Sequence, residues 1–559
     1  MAEAYPTEKR RNAGLTARSY SPWIASNPYI VGSFACIGGG LFGLDISSMS
    51  GVLNNPYWLD LFYNPQGDIQ GAIVASMPAG SFVGAISVGW LADIFGRKRL
   101  IILAGIIWVI GSILQCAAVN RGMLVVGRII SGISVGISST VVPVYQAEIT
   151  APGIRGRIVS LQQWSITWGI LIQYFIQFGC SYINGVASFR IPWGLQMIPA
   201  IVLSFGMLYF PESPRYLLDN DRGEEALQIL ADLHGKGNKD DELVQLEYHE
   251  IILQIEMERK EGPKAWKDMF APGIFRRVFL GMSLQMWSQL TGMNVMMYYI
   301  TYVFAGAGLT GRRANLIAAS VQYVLNTAFT VPAFWAIDWW GRRPLLLVGT
   351  GLMSFFLFLV GGLQGGFGEV QYVPDSGTNQ WVITGHQNIT YGIIVCSYLF
   401  VVSFSFTMGP VSWTYPSEIF PMKVRAKAVS WSTAANWAFN FALAFAVPPA
   451  FNTIYWKTYM IFATFNAAAF IHIFFMFPEA SLRRGWLTRF QTKGRTIEEM
   501  EEIFASGHVF TAWRVGNDIG RHNLEEIRRE VEGRIGPRDA EKVDPEHDEV
   551  VPTTIPETV

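Results

Sequence analysis

Charged residues are scarce in this chain: they form 15% of its 559 residues, whereas hydrophobic residues form 51%. Soluble domains carry about 25% charged residues, so the composition excludes an ordinary soluble protein and favours one that lies in a lipid bilayer. The net charge of −1 argues against the basic surface with which proteins bind nucleic acid. We therefore expect the bilayer, and no nucleic acid, as a partner.

Cysteine is also rare, and its placement excludes several chemistries. Cys36, Cys116, Cys180 and Cys396 lie in or beside apolar runs and lack the spacing of a zinc or redox site. We interpret them as buried apolar residues. The sequence contains neither a phosphate-binding loop nor a nucleophile constellation. It therefore predicts no metal, no cofactor and no enzymatic activity.

Long apolar runs dominate what is present. About 20 apolar residues cross the hydrocarbon layer of a membrane, and twelve runs reach that length. The first six cover about 28–53, 71–92, 100–119, 122–146, 158–180 and 191–211. The other six cover about 275–304, 314–337, 344–365, 389–416, 427–450 and 455–478. These runs predict an all-α membrane protein with twelve transmembrane helices.

Short charged motifs occur twice, at equivalent ends of these runs. The paired segments are 93–98 and 338–343, 148–155 and 418–425, and 211–212 and 478–479. A repeat of this kind indicates two similar halves. In a membrane protein, two halves around a central path are typical of a transporter.

The repeat predicts five parts of the chain. They are an N-terminal tail (1–27), a six-helix bundle (28–212), a helical linker (213–273), a second six-helix bundle (274–480) and a largely disordered C-terminal tail (481–559). Within the linker, apolar spacing predicts helices over 224–233 and 242–257. Cations concentrate in the loops on one side, which predicts that this side and both termini are cytosolic. A glycosylation sequon at Asn388 falls on the opposite side.

Charged residues gather at the cytosolic ends of both halves. Opposite charges at neighbouring helix ends can hold one closed state and release in another, so we predict a cytosolic gate. The alternative is that these are solvated charges that only set topology. The gate candidates are Asp93, Arg97, Glu148, Arg155, Glu212, Arg215, Asp338, Arg342, Glu418 and Arg425.

Asp45 is the only acid deep inside a predicted span. A charge at that depth is costly and is a functional candidate. At about 1.5 Å of rise per residue, Arg128 reaches a comparable depth, so we expect the two side chains to pair. Protonation of Asp45 would cancel their attraction, which would couple a proton to helix movement. The alternative is a structural ion pair that never titrates.

A second set of polar groups in the spans is uncharged. Buried amides need hydrogen-bond partners, and an amide both donates and accepts, as a sugar hydroxyl does. The set therefore suits a polyol substrate, and Trp413 offers an apolar face for a sugar ring. The alternative is hydrogen bonding between helices. These amides are Gln163, Gln289, Asn294, Asn326, Asn436 and Asn440.

Several motifs, in order, carry a family resemblance. Among them are Phe-Gly-Leu-Asp at 42–45, Pro-Glu-Ser-Pro-Arg at 211–215 and Gly-Pro-Val-Ser-Trp at 409–413. Over about residues 28–480 the chain resembles the sugar porter family of the major facilitator superfamily, and 287–299 resembles fungal high-affinity glucose transporters. The resemblance implies a major facilitator fold and proton-coupled import of a monosaccharide, glucose above others, by alternating access.

The resemblance also implies residue roles. Asp45 would take the proton with Arg128 as its partner, and Ile170 would close over the sugar. The implied sugar contacts are Gln163, Gln289, Asn294, Asn326, Trp413 and Asn436. Two departures stand out: Ser288 replaces a glutamine that is frequent in the family, and residues 481–492 interrupt the family's closing motif.

Other functions remain open at this point. A facilitative hexose uniporter, a sugar sensor without net transport, and a transporter of xylose, inositol or quinate each fit the same pattern. For every one of these, we expect a monomeric integral membrane protein of the plasma membrane.

Overall fold

The computed structural model describes residues 20, 27–53, 55–65, 67–150, 154–260, 266–271, 273–309, 312–373, 378–421 and 424–478. The expectations for the C-terminal tail, for the interruption at 481–492 and for most of the N-terminal tail lie outside these residues. The described residues belong to one compact unit.

Twelve helical spans follow one another in this part of the chain, numbered here in chain order. Spans 1 to 6 are Pro28–Ala35 with Ile37–Ser50, Gly67–Phe95, Arg97–Cys116, Arg121–Ile149, Arg155–Cys180, and Ala187–Leu195 with Met197–Gly206. Spans 7 to 12 are Ile274–Leu290 with Met293–Tyr298 and Ile300–Gly306, Arg312–Trp340, Arg342–Phe367, Gln387–Phe406 with Met408–Ile419, Arg425–Thr453, and Lys457–Met476. The all-α prediction and its twelve helices are confirmed.

Nine of the described spans are long and apolar enough to cross a membrane by length and composition alone. The other three are spans 5, 7 and 11. Span 7 is broken into short pieces, and spans 5 and 11 carry buried amides that lower their apolar character. All three of these spans carry amides that were predicted to contact the sugar.

The linker between the halves is helical, as its spacing predicted. Its helices are Pro214–Asp219, Gly223–His234 and Glu242–Lys260, followed by a short 3-10 helix, Trp266–Phe270. Leu230, Ala231 and Val244 form a small apolar core between the two longer helices. The amphipathic pattern was therefore sufficient to find this part of the fold.

The segment after span 9 contains a β-hairpin that the sequence analysis did not predict. Gly368–Val373 pairs antiparallel with Thr378–Ile383, in a register that runs from Gly368 opposite Ile383 to Val373 opposite Thr378. The Trp381 indole N–H donates to the Gln364 carbonyl at 2.8 Å, which fastens the hairpin to span 9. We call this end of the bundle the hairpin end, and the end where spans 3 and 9 begin the charged end.

Spans 2 and 4 approach each other closely because small residues line their crossing. A Cβ atom at Gly84 would lie 2.2 Å from the Ile133 carbonyl oxygen, and one at Gly136 would lie 2.1 Å from the Ser81 carbonyl oxygen. Both distances are far below van der Waals contact. Small residues of this kind let helices in a membrane pack backbone to backbone, which brings Arg128 on span 4 close to span 2.

Candidate functional site

The pair expected from helix depth is present between spans 1 and 4. Arg128 Nη2 lies 3.1 Å from Asp45 Oδ2, and Arg128 Nη1 lies 3.3 Å from Asp45 Oδ1. Both side chains are completely buried. The parallel arrangement of two N–H···O bonds is the geometry that an arginine and a carboxylate favour.

Arg128 also binds span 2 through backbone carbonyls. Its Nε donates to the Ile73 carbonyl at 3.0 Å, and its Nη2 lies 3.4 Å from the Val74 carbonyl. Pro78 lies four residues after Val74 within the helix and has no N–H to offer that carbonyl. Arg128 thus supplies a donor that the helix lacks, and its one guanidinium ties spans 1, 2 and 4 together.

Gln289 is the centre of an amide cluster in the second half. Its Nε2 donates to Asn436 Oδ1 at 2.6 Å, and its Oε1 accepts from Asn294 Nδ2 at 2.5 Å and from Asn440 Nδ2 at 3.1 Å. Gly292 adopts φ +86°, a left-handed conformation that ends the first helix of span 7. This break lets Asn294 turn back towards Gln289, so two other predicted sugar contacts, Asn294 and Asn436, both bind Gln289.

The remaining predicted sugar contacts lie apart from this cluster. The Trp413 indole N–H on span 10 donates to Gln163 Oε1 on span 5 at 3.0 Å, which joins the two halves. Asn326 Oδ1 accepts from the Ser405 hydroxyl at 2.6 Å. Ile170 is buried in span 5, and a Cβ at Gly43 of span 1 would lie 2.9 Å from its backbone nitrogen. Ile170 therefore marks a close crossing of spans 1 and 5.

At the charged end, the first half holds a network around Glu148 and Glu212. Arg97 Nη2 lies 2.9 Å from Glu148 Oε1, and Ser213 donates to the other Glu148 oxygen at 2.5 Å. Glu212 Oε1 accepts from the backbone N–H groups of Arg97 at 3.1 Å and Lys98 at 3.0 Å. A carboxylate at a helix start is favoured by the helix dipole. Burial nevertheless raises the pKa of the Glu212 carboxyl, against these hydrogen bonds and the charge of Arg97.

The second half repeats this arrangement. Arg342 binds both oxygens of Glu418, at 2.7 Å from Nη2 and 3.0 Å from Nε. Arg342 Nη1 also donates to the Ile337 carbonyl, as Arg97 Nη1 does to that of Ala92. Each of these ion pairs joins two helices of the same half. The sequence repeat is therefore a repeat of geometry as well.

The other gate candidates are less tightly placed. Asp93 adds a favourable charge near Arg97. Arg215 is buried and lies 3.4 Å from Gln254 Oε1, and Arg425 is buried against the Phe420 carbonyl at 3.3 Å. The side chains of Arg155 and Asp338 lie outside the described part of the structure, so the roles proposed for them stay predictions.

Comparison with known proteins decides the family. The profile of the family described as "Sugar (and other) transporter" matches residues 31–504. The chain belongs to this family. Over 534 residues the transporter is 50% identical to the MFS glucose transporter mfs1 of Aspergillus flavus, covering 93% of this chain and 96% of that protein. It is 43% identical over 521 residues to the high-affinity glucose transporter of Kluyveromyces lactis, covering 91% and 90%.

A solved structure gives the same fold. The proton:xylose symporter XylE, bound to 6-bromo-6-deoxy-D-glucose, matches with a TM-score of 0.72 and 26% identity, over 86% of this chain and 100% of that one. The major facilitator fold expected from the motifs is thereby confirmed. The chain is thus an integral membrane transporter.

The sequence analysis left out several buried amides of the transporter, of which Gln162 and Gln285 lie beside predicted site residues. Gln162 is fully buried, and neither of its amide atoms has a partner among the described residues. Gln285 Nε2 donates at 2.9 Å to the Ser412 carbonyl, which Pro416, four residues later in the helix, leaves without a donor. The signal for Gln162 was its place beside Gln163. Gln285 carried the same signal as Gln289, an amide inside a predicted span, but its partner on another span could not be found from the sequence.

The halves of the transporter touch at both ends. At the charged end, the hydroxyls of Ser160 and Thr414 are 3.1 Å apart. At the hairpin end, the Tyr323 hydroxyl lies 3.3 Å from Ser50 Oγ, and the Tyr174 hydroxyl donates to the Leu316 carbonyl at 2.6 Å. The amide cluster lies between these contacts along the spans. Among the described residues, the two halves are therefore in contact near both ends of the spans.

Proposed function

We propose that this transporter imports a monosaccharide, glucose above others, together with a proton by alternating access. The observation that carries the proposal is the fully buried Asp45–Arg128 pair. A buried ion pair contributes little net stability, because desolvation offsets its attraction, so its presence favours a functional role. The similar proteins named as glucose transporters and as a proton:xylose symporter support the substrate and the coupling ion.

Protonation of Asp45 changes how strongly Arg128 binds span 1. With an ionised carboxylate, the guanidinium binds span 1 through two charge-assisted bonds and span 2 through two carbonyls. With a neutral carboxyl, the charge attraction to span 1 disappears while the bonds to span 2 stay. Span 1 can then move relative to spans 2 and 4. A proton would in this way bias the exchange between outward-open and inward-open states.

The sugar would bind between the halves, among the amides. Its hydroxyls both donate and accept, and so do amide groups. Asn436 Nδ2 and both amide atoms of Gln162 have no hydrogen-bond partner among the described residues, so a hydroxyl can satisfy them. Gln163 and Trp413 come from opposite halves. A ligand held there would contact both halves and favour the closed state.

The charged end would face the cytosol, with both termini on that side and the protein in the plasma membrane. The excess of cations at this end supports the orientation. The Arg97–Glu148 and Arg342–Glu418 pairs would stiffen each half at the gate. We further propose that the transporter is monomeric and carries out no covalent chemistry.

The test is uptake of radiolabelled glucose into proteoliposomes, with and without an inward proton gradient. We expect the native protein to accumulate glucose above the outside concentration and an uncoupler to abolish this accumulation. Asp45→Asn keeps the shape of the side chain but cannot ionise, so we expect exchange of sugar without accumulation. Asp60→Asn, at an exposed aspartate near the hairpin end, is the control and should accumulate normally.

Three results would contradict the proposal. Uphill accumulation by Asp45→Asn would remove Asp45 from the coupling mechanism. Native uptake that is insensitive to the proton gradient would indicate a uniporter, and sugar binding without flux would indicate a sensor.

A further inference from the structure

We infer that Trp266, which belongs to the linker, is a gate residue that holds the two halves together at the charged end. Trp266 lies in the short helix Trp266–Phe270, just before span 7. Its ring centroid is 4.6 Å from that of Trp90 on span 2 and 6.2 Å from that of Trp431 on span 11. Spans 2 and 11 belong to different halves, so one linker side chain bridges them.

The contact with the second half extends beyond one ring. The buried Lys427 ammonium, also on span 11, lies 5.9 Å from the centre of the Trp266 ring. A cation at this distance from an indole is attracted by its π-face. The ring centroid of Phe270, which belongs to the same short helix, lies 6.4 Å from that of Trp431. The linker thus presents an aromatic surface to span 11.

Span 2 is shaped to receive the Trp266 ring. A Cβ atom at Gly89 would lie 2.5 Å from Cη2 of Trp266, so only glycine leaves room for the indole against the helix. Gly89 lies four residues before Asp93, where the first charged motif begins, and Phe334 lies four residues before Asp338, where the second begins. The two halves therefore differ at the place where the ring of Trp266 packs.

Opening of the charged end must separate spans 2 and 11 there. In the structure, where these spans are in contact, Ser430 of span 11 donates to the Ala85 carbonyl of span 2 at 2.7 Å. When these spans part, Trp266 cannot keep its interactions with both of them. The aromatic and cation–π interactions of Trp266 therefore stabilise the closed gate specifically, and removing them shifts the equilibrium towards the open one.

The inference rests on the alternating access of the proposed function but not on its proton or its sugar. It can therefore be tested on purified protein in detergent, without substrate or gradient. Ser160→Cys places a thiol at a fully buried position, where the native hydroxyl meets Thr414 of the other half. The rate at which a maleimide labels this introduced thiol, measured by peptide mass, reports opening of the charged end.

In this background we expect Trp266→Ala to raise the labelling rate by about tenfold, because the variant removes an aromatic and a cation–π interaction together. Trp266→Phe keeps a ring and should restore most of the slow labelling. Trp335→Ala, at a tryptophan of span 8 that is 60% exposed, is the matched control and should leave the rate unchanged. Thermal unfolding of each variant checks that it is folded.

A second variant distinguishes an effect on the gate from a general destabilisation of the protein. Gly89→Ala should speed labelling in the native background, because its Cβ displaces the Trp266 ring. In the Trp266→Ala background the same change should add little. If Trp266→Ala does not fold, Trp266→Leu takes its place in this comparison. Slow labelling in a folded Trp266→Ala or Trp266→Leu protein, or an equal effect of Gly89→Ala in both backgrounds, would overturn the inference.

Failure of the coupling proposal leaves this experiment unchanged. A uniporter also opens and closes its cytosolic gate, so a result with Asp45→Asn that contradicts proton coupling does not predict the labelling outcome. Conversely, a Trp266 variant that labels slowly would leave the proton and sugar assignments intact.

Discussion

Gln289 shows that a single buried amide can position several others in this transporter. It binds Asn294, Asn436 and Asn440 at once, so its donor and its acceptor oxygen are both in use. Each of these bonds is worth about 1 kcal/mol, and a buried group left unpartnered costs about 1–3 kcal/mol. The side chain therefore positions three further amides within the proposed sugar site.

We predict that Gln289→Ala raises the KM for glucose at least about tenfold, because the three amides around it lose their common partner. The measurement is initial uptake rate against glucose concentration, normalised to protein in the membrane. Gln371→Ala, at an exposed glutamine of the hairpin, should keep the native KM. A native KM in the Gln289 variant would exclude it from the sugar site.

At the scale of helices, the crossing of spans 2 and 4 positions Arg128. The glycines at this crossing allow backbone contact, since a Cβ at Gly84 would lie 2.2 Å from the Ile133 carbonyl oxygen. Neither backbone can yield without moving its whole helix. The crossing therefore sets the distance from Arg128 to the Ile73 and Val74 carbonyls.

We predict that Gly84→Ala lowers the thermal unfolding temperature, with a cost of about 1–3 kcal/mol, as expected for overpacking a tight interface. Gly362→Ala is the matched control, because a Cβ at this helical glycine would meet nothing within 4 Å. Unfolding in detergent, followed by intrinsic tryptophan fluorescence, measures both. Equal unfolding temperatures for the two variants would contradict the steric argument.

At the scale of the whole molecule, contact between the halves at both ends implies that transport requires each end to separate in turn. The Ser160 and Thr414 hydroxyls, 3.1 Å apart, mark the charged end. The Tyr323 and Ser50 hydroxyls, 3.3 Å apart, mark the hairpin end. A covalent link at either place should therefore stop transport without touching the sugar site.

We predict that the double variant Ser160→Cys with Thr414→Cys loses glucose uptake on mild oxidation and regains it on reduction. Each single variant should keep uptake under both conditions. Binding of glucose from the hairpin end should persist in the oxidised protein, because that end remains able to open. Full uptake by protein shown to be cross-linked would mean that the halves do not separate there.

Local sequence patterns were sufficient to predict much of this fold and part of the candidate site. The bilayer demands helices of a set length, so hydropathy located the twelve spans, and the amphipathic pattern located the linker helices. The Asp45–Arg128 contact was predictable because the rise per residue gives each side chain a depth, and few charged groups share that depth. The hairpin was missed because hydropathy locates only segments long enough to cross the membrane, and each of its strands has six residues.

By itself, the sequence determined the two-half architecture, the buried ion pair and the membership of a transporter family, because length, depth and motif order are properties of the chain taken locally. Only the tertiary structure showed that Gln289 forms hydrogen bonds with three other amides and that Trp266 contacts both halves. It alone showed that Gln285 donates to a carbonyl that a proline leaves without a helical donor. Those contacts depend on how each helix is rotated about its axis, and packing between distant segments sets that rotation.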